Sequence, residues 1–193
     1  IQTYVPEFPK KEWPVTVRHL MGHSSGLRND GGDEGPLFSP HCKRPVEALG
    51  HFAESPLLFE PGTKYRYSSF GWVLMSAAVE AAAGEPFLTH MQKQIFEPLG
   101  MTHTSADTGT ADSDAPPPQG QSISYFPRFA GDPKYGPDVM RPLDYSCYTG
   151  SSVFVSTPTD LVRFAIAINS GKVRLMIIWN VDFTRYDDDP MAG

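Results

Sequence analysis

Phe59-Glu-Pro-Gly-Thr-Lys-Tyr-Arg-Tyr-Ser-Ser-Phe-Gly71 is the stretch on which the reading of this chain turns. Pro61 and Gly62 turn the backbone, Tyr65 and Tyr67 then share one face of a short extended segment, and Ser68 or Ser69 is placed to cap a helix starting near Phe70. A phenol at such a junction lies at the edge of a cleft. Tyrosine ionises at about 10 in isolation, and neighbouring positive charge lowers that value until the phenolate serves as a general base. Tyr67 is therefore the leading candidate for chemistry, set against the plainer assignment of a half-buried core tyrosine.

With 193 residues, 40% of them hydrophobic, the chain suits one sizeable soluble core. A net charge of -6 with no basic stripe argues against a nucleic-acid surface. The longest apolar run, Trp72 to Ala83, is shorter than the ~20 residues that cross a bilayer. No secretion signal opens the chain, and Ile1 to Pro9 reads like the middle of a longer protein. Cys42 and Cys147 are too few and too distant in sequence to define a disulfide framework or a zinc site, which leaves the compartment open.

The apolar spacing outlines the remaining elements. Thr16 caps a short helix with Val17, Leu20 and Met21 on one side, stopped by Gly26. Residues 28–41 form a surface loop, and Pro45 opens a helix to about Ser55 with Val46, Leu49 and Phe52 inward. The helix from Phe70 to Ala83 buries Val73, Leu74, Ala77, Ala78 and Ala81 and ends at Gly84. Pro86 starts another, with a Leu88, Met91 and Ile95 stripe in which Met91 is core filler rather than a metal ligand. Ser105 to Gln121 reads as a long exposed loop, Thr149 to Val155 as a turn and short strand. Thr157 and Pro158 begin a last clear helix with Leu161, Phe164, Ala165 and Ile168 buried. Val173 to Phe183 has strand character, and 184–193 is a polar, acidic tail.

Two further patterns compete for a role. Gly22-His-Ser-Ser-Gly26 matches the Gly-x-Ser-x-Gly nucleophile elbow, which would make Ser24 the nucleophile of an α/β-hydrolase. That geometry needs a strand before it and a helix after it, whereas helical spacing precedes and a Gly/Asp-rich loop follows. His19 and His23 are spaced like a zinc pair, but Leu20 stands where His-Glu-x-x-His needs glutamate, so capping or packing roles fit them better. No residue pattern calls for a metal or a cofactor.

Several stretches in order also resemble one family. Val15 to Leu27, Phe59 to Gly71, Phe87 to Met101 and Val155 to Phe164 are similar to segments of class C β-lactamase-like serine hydrolases, a group with penicillin-binding proteins, family VIII esterases and mitochondrial members. The resemblance implies an α/β (α+β) fold of the β-lactamase/transpeptidase type, of which this chain is mainly the helical subdomain. It assigns residues 1–171 to an incomplete β-lactamase-related domain and 172–193 to a divergent tail. In that family a serine three residues before a lysine attacks an ester or amide carbonyl, and a tyrosine exchanges the proton. Tyr67 matches that tyrosine, and Ser69 stands where the family commonly has a substrate-binding asparagine.

The departures are equally specific. None of Lys10, Lys11, Lys43, Lys64, Lys93, Lys134 and Lys172 has a serine three residues before it, and the third motif, Lys-Thr-Gly or His-x-Gly, is absent. The resemblance thus implies a hydrolase that forms an acyl-enzyme on a small ester, amide or peptide, with the nucleophile helix and third-motif strand outside this sequence. This chain alone is then expected to be inactive and, lacking its central sheet, to self-associate through exposed apolar surface. A non-catalytic binding or scaffold module is the alternative from another class. Family resemblance places the protein in an extracytoplasmic or mitochondrial compartment.

Overall fold

A computed structural model of the chain describes residues 1–29, 41–107, 120, 122 and 143–171. The core is built around α2 (Ser69–Ala83), against which α1 (Val17–Met21), α3 (Phe87–Met91) and the 3-10 helices Pro45–His51 and Ser146–Tyr148 pack. Ser68 caps α2 by accepting the Gly71 N–H at 3.2 Å, and Gly84 closes it in the left-handed conformation. Val73, Leu74, Ala77 and Ala78 are buried along α2, whereas Ala81 is exposed near its end. Phe52 stacks on Phe70 with centroids 4.4 Å apart, and the Arg28 guanidinium lies 5.2 Å from the same ring. Phe8, Phe52, Phe70, Leu20 and Leu74 are wholly buried, each side chain worth about 1.5–3 kcal/mol on transfer from water.

Thr16 and His19 start α1 with a reciprocal capping pair: the Thr16 hydroxyl accepts the His19 N–H, and His19 Nδ1 accepts the Thr16 N–H. The helix expected to reach Ser55 is instead a 3-10 helix that ends at His51. Gly50 weakens helical continuation there, and the Leu49 carbonyl takes the N–H groups of both Phe52 and Ala53, turning the chain. Beyond α3 the backbone widens into a π turn, Gln92–Phe96, in which the Glu97 N–H reaches the Gln92 carbonyl. The wider turn rotates the buried positions to Phe87 and Phe96, leaving Leu88, Met91 and Ile95 half-buried.

Ser105 and Ala106, expected to open a loop, form β1 and pair antiparallel with β2 (Phe154–Val155). The last helix, α4 (Pro158–Asn169), starts at Thr157 as its sequence indicates. Its expected apolar face is only partly covered, with Leu161 56% exposed and Phe164 and Ile168 half-buried. Among the described residues α4 is seated by its first turn, where wholly buried Asp160 accepts the His103 N–H at 2.8 Å, the Thr104 hydroxyl at 3.1 Å and Arg163 at 2.6 Å. Residues 172–193, with the expected strand and tail, lie outside the described residues, as do 30–40 and 108–119 of the expected loops.

The cysteines, too few and too distant in sequence to define a disulfide framework, form one disulfide, between Cys42 and Cys147. They meet because the two 3-10 helices beside them pack on each other and on α2. Beside the bond, the Cys42 N–H donates to Ser146 Oγ, and Asp144 accepts both the Ser146 N–H and a 2.7 Å contact from His41.

Candidate active site

The segment that carries Tyr67 is fixed by its main chain. Leu58, Gly62 and Arg66 donate their N–H groups to the carbonyls of Gly26, Ser24 and His23, each at 2.8 Å. Two strips of irregular chain, 23–26 and 58–66, are thus tied in register without being a sheet. Gly26, at φ +74, permits this approach, because a Cβ there would collide with the Phe59 carbonyl oxygen.

Tyr67 sits at the end of the second strip, one residue before the α2 cap, and its side chain is 51% exposed. The ring is therefore open to solvent rather than sealed in the core, which is the accessibility that proton exchange with a substrate-bound nucleophile needs. It leans on His23, with ring centroids 4.7 Å apart and planes 33° from parallel. Tyr65 meets the same imidazole edge-on at 5.8 Å, and Trp72 at 6.1 Å. The two tyrosines of the segment thus share one aromatic neighbour, as their common face implies.

Ser69 is the first residue of α2 and is 9% exposed. Its N–H donates to Asn29 Oδ1 at 2.7 Å, so a side chain from the 23–29 strip closes one orphan amide of the helix start. Ser68, beside it, donates its hydroxyl to the Arg28 carbonyl at 2.7 Å while capping the helix. Asn29 and His23 were missed as site residues in the sequence. No linear spacing connects either with 67–69; the bracketing Gly22 and Gly26 around His23 are the only local sign of a special turn.

Ser24 does not stand on a nucleophile elbow. Helix α1, not a strand, precedes it, residues 25–29 are irregular, and its hydroxyl lies 3.5 Å from the His19 carbonyl on the same turn. The histidines four apart likewise serve as local structure: His19 caps α1, and His23 accepts the Ser68 N–H at Nδ1. Burial holds both imidazoles below the usual histidine value, helped at His19 by the Arg18 charge. Among the described residues no group of three His, Cys, Asp or Glu side chains is arranged to hold a metal, and no helix is long and apolar enough to cross a membrane.

Comparison with known proteins gives the family context. A family model described as Beta-lactamase matches residues 1–186. The mitochondrial serine beta-lactamase-like protein LACTB of Bos taurus is 46% identical, the match covering 54% of this chain and 32% of that protein. A putative D-alanyl-D-alanine carboxypeptidase of Escherichia coli strain K12 is 28% identical over 54% of this chain and 26% of its own. Among solved structures, a D-amino acid amidase from Ochrobactrum anthropi SV3, complexed with L-phenylalanine amide, superposes with a TM-score of 0.69 at 29% identity. That match covers 90% of this chain and 48% of the amidase. A penicillin binding protein from Bacillus halodurans shares the fold, with a TM-score of 0.66 at 21% identity over 87% of this chain and 50% of its own. The chain spans about a third or less of the curated relatives and about half of the solved ones.

Proposed function

The chain belongs to the beta-lactamase family, and from that premise we propose that Tyr67 exchanges a proton with a serine nucleophile in the cleavage of an ester or amide bond. The serine and its lysine belong to a Ser-x-x-Lys pair outside these 193 residues. In the first step the serine oxygen attacks the substrate carbonyl while the Tyr67 phenolate accepts the hydroxyl proton. The proton then passes to the leaving alcohol or amine, the bond to it breaks, and an acyl-enzyme remains. Water hydrolyses that ester in the reverse sense, returning the proton through Tyr67 to the serine.

The observation that carries the reading is the open position of Tyr67 on a segment whose backbone is clamped at Leu58, Gly62 and Arg66. A fixed phenol facing solvent at a helix start suits proton exchange better than core packing. The substrate is a small ester, amide or peptide, in keeping with the amidase and carboxypeptidase names among the relatives. Ser69, 9% exposed in the first turn of α2, stands where the family commonly has a substrate-binding asparagine, and its hydroxyl, shorter than a carboxamide, favours esters and peptides over β-lactams. The compartment is extracytoplasmic or mitochondrial, and the Cys42–Cys147 bond favours an oxidising one. The exposed Leu161, Val162 and Ile166 of α4 favour self-association of this chain on its own.

A second reading, from another class, is a scaffold or binding module without turnover on the same fold. Replacing Tyr67 in a complete protein that carries Ser-x-x-Lys separates the two. Tyr67→Phe should lower kcat by about a hundredfold or more on an aryl ester. Rates close to those of the unmodified enzyme would remove Tyr67 from the mechanism, and a complete protein with no turnover at all would favour the scaffold.

A further inference from the structure

We propose that His23 is the positioning residue for Tyr67, holding the phenol in place only while its imidazole is neutral. The inference rests on the reading of Tyr67 given above. One residue engages three in succession: the His23 carbonyl accepts the Arg66 N–H at 2.8 Å, its ring packs 4.7 Å from Tyr67, and its Nδ1 accepts the Ser68 N–H at 3.2 Å. The phenol is thus bounded on both sides along the chain and on one face of the ring. His23 does this from φ +51, a left-handed conformation that a non-glycine residue keeps only where its surroundings enforce it.

The hydrogen-bond donors around the ring decide its charge state. Ser68 presents an N–H to Nδ1, and Trp72 presents its indole N–H to Nε2 at 3.1 Å. A neutral imidazole has a single ring lone pair, so it serves one of these donors at a time; an imidazolium has none and meets two N–H groups with two of its own. Protonation therefore breaks the hydrogen bond to the residue after Tyr67. Among the described residues, the titratable groups facing the ring are the phenols of Tyr65 and Tyr67, while α2 contributes the Trp72 indole. On α1, His19 turns its ring to the Thr16 N–H and towards Gly62. Burial adds to the same preference for the neutral form.

The test needs no turnover and uses the chain as it stands. Tyrosine ring and histidine imidazole resonances are followed by NMR between about pH 8 and pH 5, the range in which histidine titrates, with Tyr67 assigned through Tyr67→Phe. The Tyr67 ring resonances should move along the same curve as the His23 imidazole, with a midpoint below 6.5. In His23→Asn, whose side chain tolerates positive φ, the Tyr67 resonances should lose that transition and the stacking shift together. Tyr67 signals that ignore the His23 titration, or that are unchanged in His23→Asn, would overturn the proposal; the titration of the unmodified chain decides it even if the variant does not fold. A harmless Tyr67→Phe in the turnover assay would instead dismiss the proton-transfer role while leaving the positioning intact.

Discussion

Cys42 and Cys147, separated by 105 residues of sequence, are bonded to each other beside α2. Such a bond removes much of the freedom of the unfolded chain, and the chain-entropy argument gives a loop of this size a gain of up to about 4.7 kcal/mol, with measured bridges typically about 2–4 kcal/mol. Cys42→Ser with Cys147→Ser should therefore lower stability by about 3 kcal/mol, or Tm by about 6–12 °C in a chain of this size. Paired thermal melts of the parent, with and without reductant, and of the double variant check it. An unchanged Tm in the double variant would mean the bond contributes nothing.

Ser68 should cost more to remove than Thr157, although both are helix caps. The Thr157 hydroxyl accepts the Asp160 N–H at 3.3 Å at the start of α4, so Thr157→Ala should destabilise by about 1 kcal/mol. The Ser68 hydroxyl accepts the Gly71 N–H and also donates to the Arg28 carbonyl, and the residue is only 1% exposed. Ser68→Ala removes both bonds at once, one of them buried, for about 2–3 kcal/mol. Urea titrations of the two variants give the comparison; equal losses would remove the second bond from the account.

Stability should decline with acid in two stages. Burial holds His23 below 6.5, and burial with the Arg18 charge does so at His19. The unfolded chain then takes up protons that the folded one refuses, so this contribution is full above 6.5 and is lost as pH falls through the folded values. Asp144 and Asp160 act lower. Burial pushes each carboxyl up, but the Ser146 and His41 contacts at Asp144, and His103, Arg163 and Thr104 at Asp160, outweigh it and hold both below 3.8. Their contribution is full above 3.8 and disappears as pH falls through their folded values. Melting curves recorded against pH should show both declines, and His23→Asn should shrink the upper one alone. A Tm that does not change between about pH 7 and pH 5 would contradict the histidine assignment.

Legibility in the sequence followed the range of the interaction. The start of α1 at Thr16, the bounds of α2 at Ser68 and Gly84, and the start of α4 at Thr157 are local chemistry and could be read directly. So could the β-lactamase/transpeptidase-like fold, mainly helical with few strands, because the four similar stretches occur in order. The π turn after α3 escaped because it shifts the register of an otherwise ordinary helical pattern, moving burial from Leu88 and Ile95 to Phe87 and Phe96. At the candidate site, the place of Tyr67 just before a capped helix was visible from its Pro-Gly turn and serine cap. Asn29 and His23 were not, since each joins the site across about 40 residues through a hydrogen bond that leaves no spacing in the chain. The Cys42–Cys147 pairing was hidden for the same reason.

The tie between 23–26 and 58–66 also bears on how such a protein can change over generations. Because Leu58, Gly62 and Arg66 contribute main-chain amides, proline is excluded from these donor positions, and Gly62, at φ +88, resists any side chain. Lys64, Tyr65 and the side chain of Arg66 are exposed. Descendants could therefore exchange Lys64 and the Arg66 side chain, altering the surface beside Tyr67 while the main-chain tie stays intact.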